Sequence, residues 1–252
     1  VWRAEHDLLA RPAAIKLIRA SDGRASEVEL RRFEREAQAT ATLASPHTVQ
    51  LYDFGVAEDG TFYYVMELLD GVDLERLVAD SGPVPPERAV HLLRQVCKSL
   101  DEAHRRGLVH RDVKPANILA CTYGCEADFV KVLDFGLVKP VEKADKGLIA
   151  AGVTHANTVV GTPAYMAPEM VLSADIDARA DLYAVGCVAY WLLTGRQVFE
   201  GDSIVKLAVA HAHERPASPS KHAPSALPRE LDELILALLE KDPARRPATA
   251  GA

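Results

Sequence analysis

Residues 110–117 read His-Arg-Asp-Val-Lys-Pro-Ala-Asn, a short polar stretch between a long helical pattern and an apolar run. Asp112, Lys114 and Asn117 lie close enough in this stretch for one loop to direct all three side chains at one ligand. Residues 134–136 read Asp-Phe-Gly and again follow a strand-like run, residues 129–133. Two acidic loops at strand ends predict a site for a metal ion and a phosphate group.

The residue types in these two loops suit phosphoryl transfer. A hydroxyl that attacks the γ-phosphorus of ATP needs a proton acceptor, which Asp112 offers, and a cation beside the transferring oxygens, which Lys114 offers. Magnesium prefers oxygen ligands, so Asn117 and Asp134 are the candidate metal ligands. A lone Asp in a loop is more often a turn or cap residue. Two such loops in this order favour the catalytic interpretation.

The two loops resemble the H-R-D-x-x-x-x-N and D-F-G motifs of the protein kinase superfamily. The Lys-Pro-Ala-Asn form resembles its serine/threonine branch. The resemblance implies one kinase domain of α+β class with two lobes: a small β-rich N-lobe over residues 1–69 and a larger, mainly α-helical C-lobe over residues 70–252. It also implies ATP and Mg²⁺ as cofactors, with Mn²⁺ as a substitute metal.

Two charged residues near the N-terminus match further kinase motifs. Ala14-Ile15-Lys16 resembles the strand whose lysine contacts the α- and β-phosphates. Glu36 shares the inward stripe of a helix expected over residues 26–43, and it resembles the glutamate that orients that lysine. Taken alone, Lys16 could be an edge-strand lysine reaching solvent, and Glu36 could belong to a surface salt bridge.

The end of an expected β-hairpin, residues 50–56 and 61–69, resembles the kinase hinge. Met66 would be the gatekeeper, and the backbones of Glu67 and Leu69 would bind the adenine edge. All of these residues also fit an ordinary strand end with a core methionine. The apolar residues that the resemblance places around adenine are Val1 and Ala14 above it and Leu119 below it.

Residues 161–169 read Gly-Thr-Pro-Ala-Tyr-Met-Ala-Pro-Glu, similar to the close of the activation segment in bacterial Hanks-type serine/threonine kinases. Thr162 would then contact Asp112 and Lys114 and favour Ser/Thr over Tyr substrates. The long polar connection before it carries Thr154 and Thr158, and loops of this length are usually functional or disordered.

Arg111, next to the proposed base, suggests regulation by phosphorylation. A phosphate on Thr154 or Thr158 would give this arginine a bidentate partner and order the loop. The sequence does not choose between the two threonines, and either could be a solvated loop residue. Self-association for autophosphorylation would follow from the same hypothesis.

Two acidic residues of the C-terminal half have structural expectations. Asp181 precedes the apolar run 182–193, where an acid caps a helix by default, and the resemblance adds that it anchors the catalytic loop. Glu169 is expected to pair with Arg246. Both assignments concern stability rather than catalysis.

Composition limits the partners. With 252 residues, 48% of them apolar, the chain can bury a large core. Its net charge of −7 provides no basic field for nucleic acid or an anionic membrane. Four scattered cysteines (Cys97, Cys121, Cys125 and Cys187) are expected to be free thiols in a reducing cytoplasm. The apolar run 182–193 is too short to cross a bilayer.

The start of the chain departs from the family pattern. The Gly-rich loop G-x-G-x-x-G-x-V would precede these residues, with Val1 as its last position, so we expect an N-terminally truncated segment that lacks the first strand. The alternative function is a pseudokinase or scaffold, which commonly loses the strand Lys, the catalytic Asp or the metal Asp. Lys16, Asp112 and Asp134 are all present, which favours an active enzyme acting on Ser/Thr residues of proteins.

Overall fold

The computed structural model describes residues 1–7, 10–18, 27–135, 163–172 and 175–252, and of residues 27–29, 32 and 36 only the backbone. The N-terminal part is a four-stranded antiparallel sheet in the order β1-β2-β4-β3, with a helix between β2 and β3. Its elements are β1 (Trp2–His6), β2 (Arg11–Ile18), α1 (Glu27–Ala41), β3 (Leu51–Val56) and β4 (Phe62–Glu67).

Helix α1 packs on this sheet through a small apolar cluster. Phe33 and Ala37, one helical turn apart, are buried against Phe62 and Tyr64 of β4. The Phe33 ring lies 4.5 Å from the Phe62 ring and 4.6 Å from the Tyr64 ring. The expected hairpin is confirmed as β3 and β4, joined by a turn in which Gly60 adopts φ 84°.

The C-terminal part is mainly helical and carries a second antiparallel sheet in the order β5-β6-β7. The strands are β5 (Gly71–Asp73), β6 (Ile118–Tyr123) and β7 (Glu126–Val132). The helices are α2 (Leu74–Ser81), α3 (Pro86–Arg105), α4 (Pro168–Leu172), α5 (Arg179–Thr194), α6 (Ile204–His213) and α7 (Arg229–Leu238).

The main core forms around α5, which is apolar on every face and therefore buried nearly throughout. Helix α3 lies against both α5 and β7, and its apolar residues Ala89, Leu93, Val96, Leu100 and Ala103 are buried. Because β7 leads to Asp134 and α3 leads to the catalytic loop, this packing brings the two motifs together. Among the described residues, no helix combines the length and apolarity that a membrane span requires.

A buried polar network joins α6 to α5 and the C-terminal segment. His211 is fully buried, and its Nδ1 lies 2.9 Å from the Tyr183 hydroxyl. Lys241 Nζ donates to the His211 carbonyl at 2.8 Å. Burial, together with the positive charge of Lys241, lowers the pKa of His211 to about 4. The imidazole is therefore neutral in the folded protein at neutral pH.

This neutral imidazole predicts an acid-sensitive contribution to stability. In the unfolded chain His211 gains a proton below its ordinary pKa of 6.5, whereas in the folded chain it does so only near 4. The free energy of unfolding should therefore fall as the pH drops from 6.5 to 4, by on the order of 3 kcal/mol in all. Denaturant titrations from pH 7.5 to pH 4 measure it.

The matched control lies on the same helix. His211→Gln should flatten the pH dependence of the free energy of unfolding across that window, while His213→Gln, at an exposed position of α6, should retain the wild-type slope. Identical slopes for wild type and His211→Gln would show that this imidazole does not carry the effect.

Candidate active site

The catalytic loop is held by one buried carboxylate. Asp181 accepts a hydrogen bond from the His110 backbone N–H through Oδ2 and one from the Arg111 N–H through Oδ1, each at 2.8 Å. His104 of α3 donates a third through Nε2, at 2.8 Å. Helix α5 begins at Arg179, so Asp181 lies within the first turn and binds the loop instead of capping its own helix.

His110 is a packed residue. Its ring is buried against the Phe135 ring at 4.6 Å. Nε2 donates to the Leu133 carbonyl at 2.8 Å, and Nδ1 accepts from the Asp112 N–H at 3.2 Å. The Nε2 bond ties the start of the catalytic loop to Leu133, between β7 and Asp134, and the Nδ1 bond lies within the loop.

The three loop residues expected to act together do lie together. Lys114 Nζ is 3.1 Å from Asp112 Oδ2. The side-chain amide of Asn117 donates to the Asp112 carbonyl at 2.9 Å and to Asp112 Oδ2 at 3.1 Å. A cation and an amide donor thus converge on one carboxylate oxygen of Asp112.

The two candidate metal ligands lie at adjacent strand ends. Ile118 pairs with Val132 across β6 and β7, and the Leu133 N–H donates to the Asn117 carbonyl at 2.9 Å. Asp134 follows immediately, in a left-handed conformation with φ 57°. Such a conformation is uncommon for a residue other than glycine, and backbone strain of this kind clusters at functional sites.

Lys16 is brought to this place from the other sheet. Its Nζ forms an ion pair with Asp134 Oδ2 at 2.5 Å, and the two side chains are about one-third and one-quarter exposed. The backbone of Glu36 lies in α1, but its side chain falls outside the described residues. Thr154, Thr158 and Thr162 fall outside them as well.

The residues expected around adenine have mixed placements. Ala14 is buried and pairs directly with Met66 across β2 and β4, so their side chains emerge on the same face of the sheet. Leu119 is half-buried on β6. Leu69 is half-buried just after β4, and Val1 is 81% exposed before β1.

The sequence interpretation missed what the Glu67 side chain does. Its Oε1 forms an ion pair with Lys131 Nζ at 2.7 Å and accepts the Gln50 N–H at 2.8 Å. Both ionic side chains are at most one-tenth exposed, so the pair joins the N-terminal sheet to β7 in a dry environment. Lys131 in the apolar run 129–133 was the available signal, because a buried lysine needs a partner.

The expected pair of Glu169 and Arg246 is confirmed. Arg246 Nη1 and Nη2 bind the two carboxylate oxygens at 2.6 and 2.8 Å, and both residues are buried. Bidentate geometry of this kind is the strongest form of ion pair. The ion pair fixes α4, in which Glu169 lies, against the C-terminal segment that carries Arg246.

Fold and site together define a kinase domain, and the chain belongs to the protein kinase domain family, whose model matches residues 1–252. It has the protein kinase fold, with a β-sheet N-lobe and a helical C-lobe. It is 41% identical over 256 residues to the serine/threonine-protein kinase pkn3 of Myxococcus xanthus, covering 100% of this chain and 46% of that protein. It is 42% identical over 245 residues to PknB of Mycolicibacterium smegmatis, covering 96% and 37%.

Solved structures show the same fold. The PknI kinase domain of Mycobacterium tuberculosis matches with a TM-score of 0.73 at 26% identity, over 99% of this chain and 86% of that chain. A structure of Rad53 1-466 in complex with AMP-PNP matches with a TM-score of 0.77 at 28% identity, over 98% and 58%. The chain spans less than half the length of the two curated relatives described above.

The Asp181 contacts predict a specific local weakness. Asp181→Asn keeps one carbonyl acceptor but cannot accept from both the His110 and Arg111 N–H groups and from His104. Leaving a buried donor without a partner should lower the free energy of unfolding by about 1–3 kcal/mol. The His110 and Arg111 amides should exchange with deuterium faster than in wild type, as measured by NMR.

Asp177→Asn is the control, because the side chain of this aspartate is half-exposed and binds the neighbouring Arg179 rather than the catalytic loop. It should leave the exchange of both loop amides unchanged. Equal exchange rates at His110 in wild type and Asp181→Asn would show that the carboxylate does not hold the loop.

Proposed function

We propose that this domain transfers the γ-phosphoryl group of Mg-ATP to serine or threonine hydroxyls of proteins. The observation that carries the proposal is the convergence of Lys114 and Asn117 on the Asp112 carboxylate, beside the strand end that bears Asp134 and its ion pair with Lys16. The similarity to bacterial serine/threonine-protein kinases and to the structure of Rad53 1-466 in complex with AMP-PNP supports it.

Asp112 would orient the attacking hydroxyl and accept its proton. Its carboxylate is only 13% exposed, so the proton transfer would take place largely away from bulk water. Lys114 Nζ, already 3.1 Å from Asp112 Oδ2, would neutralise negative charge on the transferring phosphate. Asp112 would thus act on the attacking hydroxyl, and Lys114 would act on the transferring phosphate.

The residues present suit a magnesium ion. The side-chain nitrogen of Asn117 donates to Asp112, so the amide oxygen of Asn117 is directed away from Asp112. Asp134, at the end of the paired strand, would supply carboxylate oxygens. Magnesium is commonly held by one or two protein oxygens together with substrate phosphates and water. When bound, it would neutralise charge on the phosphates, and Mn²⁺ offers the same chemistry.

The nucleotide would be positioned by both lobes. Lys16, oriented by Glu36, would contact the α- and β-phosphates, which requires it to share or leave its bond to Asp134. The resemblance assigns Met66 as gatekeeper and the backbones of Glu67 and Leu69 to the adenine edge. The residues proposed to enclose adenine are Val1, Ala14 and Leu119, and Thr162 is proposed to contact Asp112 and Lys114.

We place the lobe boundary between Leu69 and Asp70, because β4 ends at Glu67 and β5 of the second sheet begins at Gly71.

Protein substrates and self-association for autophosphorylation are the partners this activity implies. The cysteines Cys97, Cys121, Cys125 and Cys187 are all free, which fits a reducing cytoplasm as the place of action.

The first test is mass spectrometry of the purified chain after incubation with Mg-ATP and a generic Ser/Thr protein substrate. Wild type should add phosphate, whereas Asp112→Asn should be slower by about a hundredfold or more, since general-base catalysis contributes about that factor. Asp80→Asn, an exposed aspartate on α2, should match wild type. Unmodified wild-type chain and substrate would favour the scaffold alternative.

Regulation can be tested with the same assay. We propose that phosphate on Thr154 or Thr158 binds Arg111, which is exposed, has φ 63° and is fixed at its backbone by Asp181. Preincubation with Mg-ATP should then raise the activity of wild type but not of Arg111→Ala. One of Thr154→Ala and Thr158→Ala should lose the same activation. Activation of Arg111→Ala equal to that of wild type would contradict the proposal.

A further inference from the structure

The segment that joins α1 to β3, residues 42–50, is bound to the C-terminal part of the chain; we call it the α1–β3 linker. On one side it lies against β7. The Val132 N–H donates to the His47 carbonyl at 2.7 Å, and the Val49 N–H donates to the Val132 carbonyl at 2.9 Å. The buried His47 ring adds a bond to the Val130 carbonyl at 3.1 Å. The linker thus continues the β7 pairing by a short parallel bridge.

On its other side the linker lies against one face of α3. Glu102 accepts from the Ala44 N–H at 2.9 Å and from the Ser45 N–H at 2.6 Å. One turn earlier, the buried Ser99 and Thr48 hydroxyls are 2.7 Å apart. Positions 99, 102 and 106 follow the helical repeat, so the three side chains share the face of α3 that meets the linker.

Arg106 completes the arrangement. Its Nη2 pairs with Glu102 Oε1 at 2.8 Å, and its Nη1 donates to the Thr42 carbonyl at 2.5 Å, just after the last residue of α1. Cations are favourable at helix C-termini because they meet the exposed carbonyls and the negative end of the dipole. Hydrogen bonds to a carboxylate are roughly twice as strong as neutral ones. Glu102 is only 22% exposed, so water competes weakly for it.

The consequence concerns α1 as a whole. Its middle is attached to the N-terminal sheet through Phe33, while its C-terminal end is attached to α3 and, through the linker, to β7. Strand β7 ends at Val132 and is followed directly by Leu133 and Asp134. A few hydrogen bonds of the linker therefore fix the position of α1 relative to Asp134.

We propose that Glu102, braced by Arg106, is a positioning residue for nucleotide binding and phosphoryl transfer. It holds the C-terminal end of α1, and with it the backbone of Glu36, in place relative to the Lys16 and Asp134 pair. This inference rests on the proposed function for its catalytic consequence. Its structural part, the restraint of α1 by Glu102, can be measured without any activity.

The experiment compares Glu102→Ala, Glu102→Gln and Arg105→Gln. Arg105 is the matched control, because it belongs to a similar i, i+4 ion pair with Asp101 on α3 but is 77% exposed and contacts solvent rather than the linker. Three readouts are taken: hydrogen exchange of the α1, Ala44 and Ser45 amides, the Kd for Mg-AMP-PNP by calorimetry, and kcat with KM for ATP on a generic protein substrate.

Glu102→Ala should speed exchange of the α1 amides and weaken Mg-AMP-PNP binding, each by at least about tenfold, because a lost hydrogen bond to a charged group changes an equilibrium by about that factor. KM for ATP should rise with the Kd while kcat changes by less. Glu102→Gln retains one acceptor oxygen but loses the charge and the second acceptor, so both readouts should fall between those of wild type and Glu102→Ala. Arg105→Gln should match wild type in every readout.

Unchanged exchange of α1 in Glu102→Ala would overturn the proposal whatever the activity. Faster exchange with unchanged Kd and KM, accompanied only by less active protein, would reduce Glu102 to a stability role and also overturn it. A wild-type chain that binds nucleotide but transfers no phosphate would refute the proposed kinase activity. The Glu102 comparison would then still be decided by exchange and by the Kd.

Discussion

The position of the catalytic loop depends on the buried Asp181 carboxylate. Asp181 lies in α5, a helix that is buried nearly throughout. Two backbone N–H groups of the loop and the His104 imidazole converge on its oxygens. A buried charge is tolerated only when such bonds compensate its desolvation, so the loop and the helix stabilise each other. Because Asp181 of α5 binds the loop directly before Asp112, the packing of α5 restricts the position of Asp112.

Among the residues that the structure describes, three charged contacts join the two lobes, in addition to the backbone hydrogen bonds between the linker and β7. Lys16 reaches Asp134, Glu67 reaches Lys131, and Glu102 reaches the linker before β3. All three contacts lead to β7 or to the helix packed beside it. The Lys16 and Asp134 side chains are about one-third and one-quarter exposed, so this ion pair can exchange partners at modest cost, whereas the buried pair of Glu67 and Lys131 cannot. The Lys16 contact can therefore change without unpacking either lobe.

Much of the fold followed from local patterns. The hairpin of β3 and β4 follows strand periodicity, and it appears in the structure at nearly the expected bounds. The loop residues Asp112, Lys114 and Asn117 also meet as their spacing suggested. Side-chain partners were harder to foresee. Glu67 and Lys131 are 64 residues apart, and His104 and Asp181 are 77 apart, so no periodicity relates them.

The sequence by itself determined the family, the order of the elements and the candidate chemical groups, because these depend on residue identity, on short spacings and on the repeat of apolar side chains. The resemblance also anticipated the pair of Glu169 and Arg246 and the Asp181 anchor of the catalytic loop. Only the tertiary structure decided the other charged contacts: it turned the Glu67 side chain towards Lys131 and set Glu102 against the linker. A charged side chain pairs with whichever group the packing of distant segments brings within a few ångströms. The local sequence does not encode that distance.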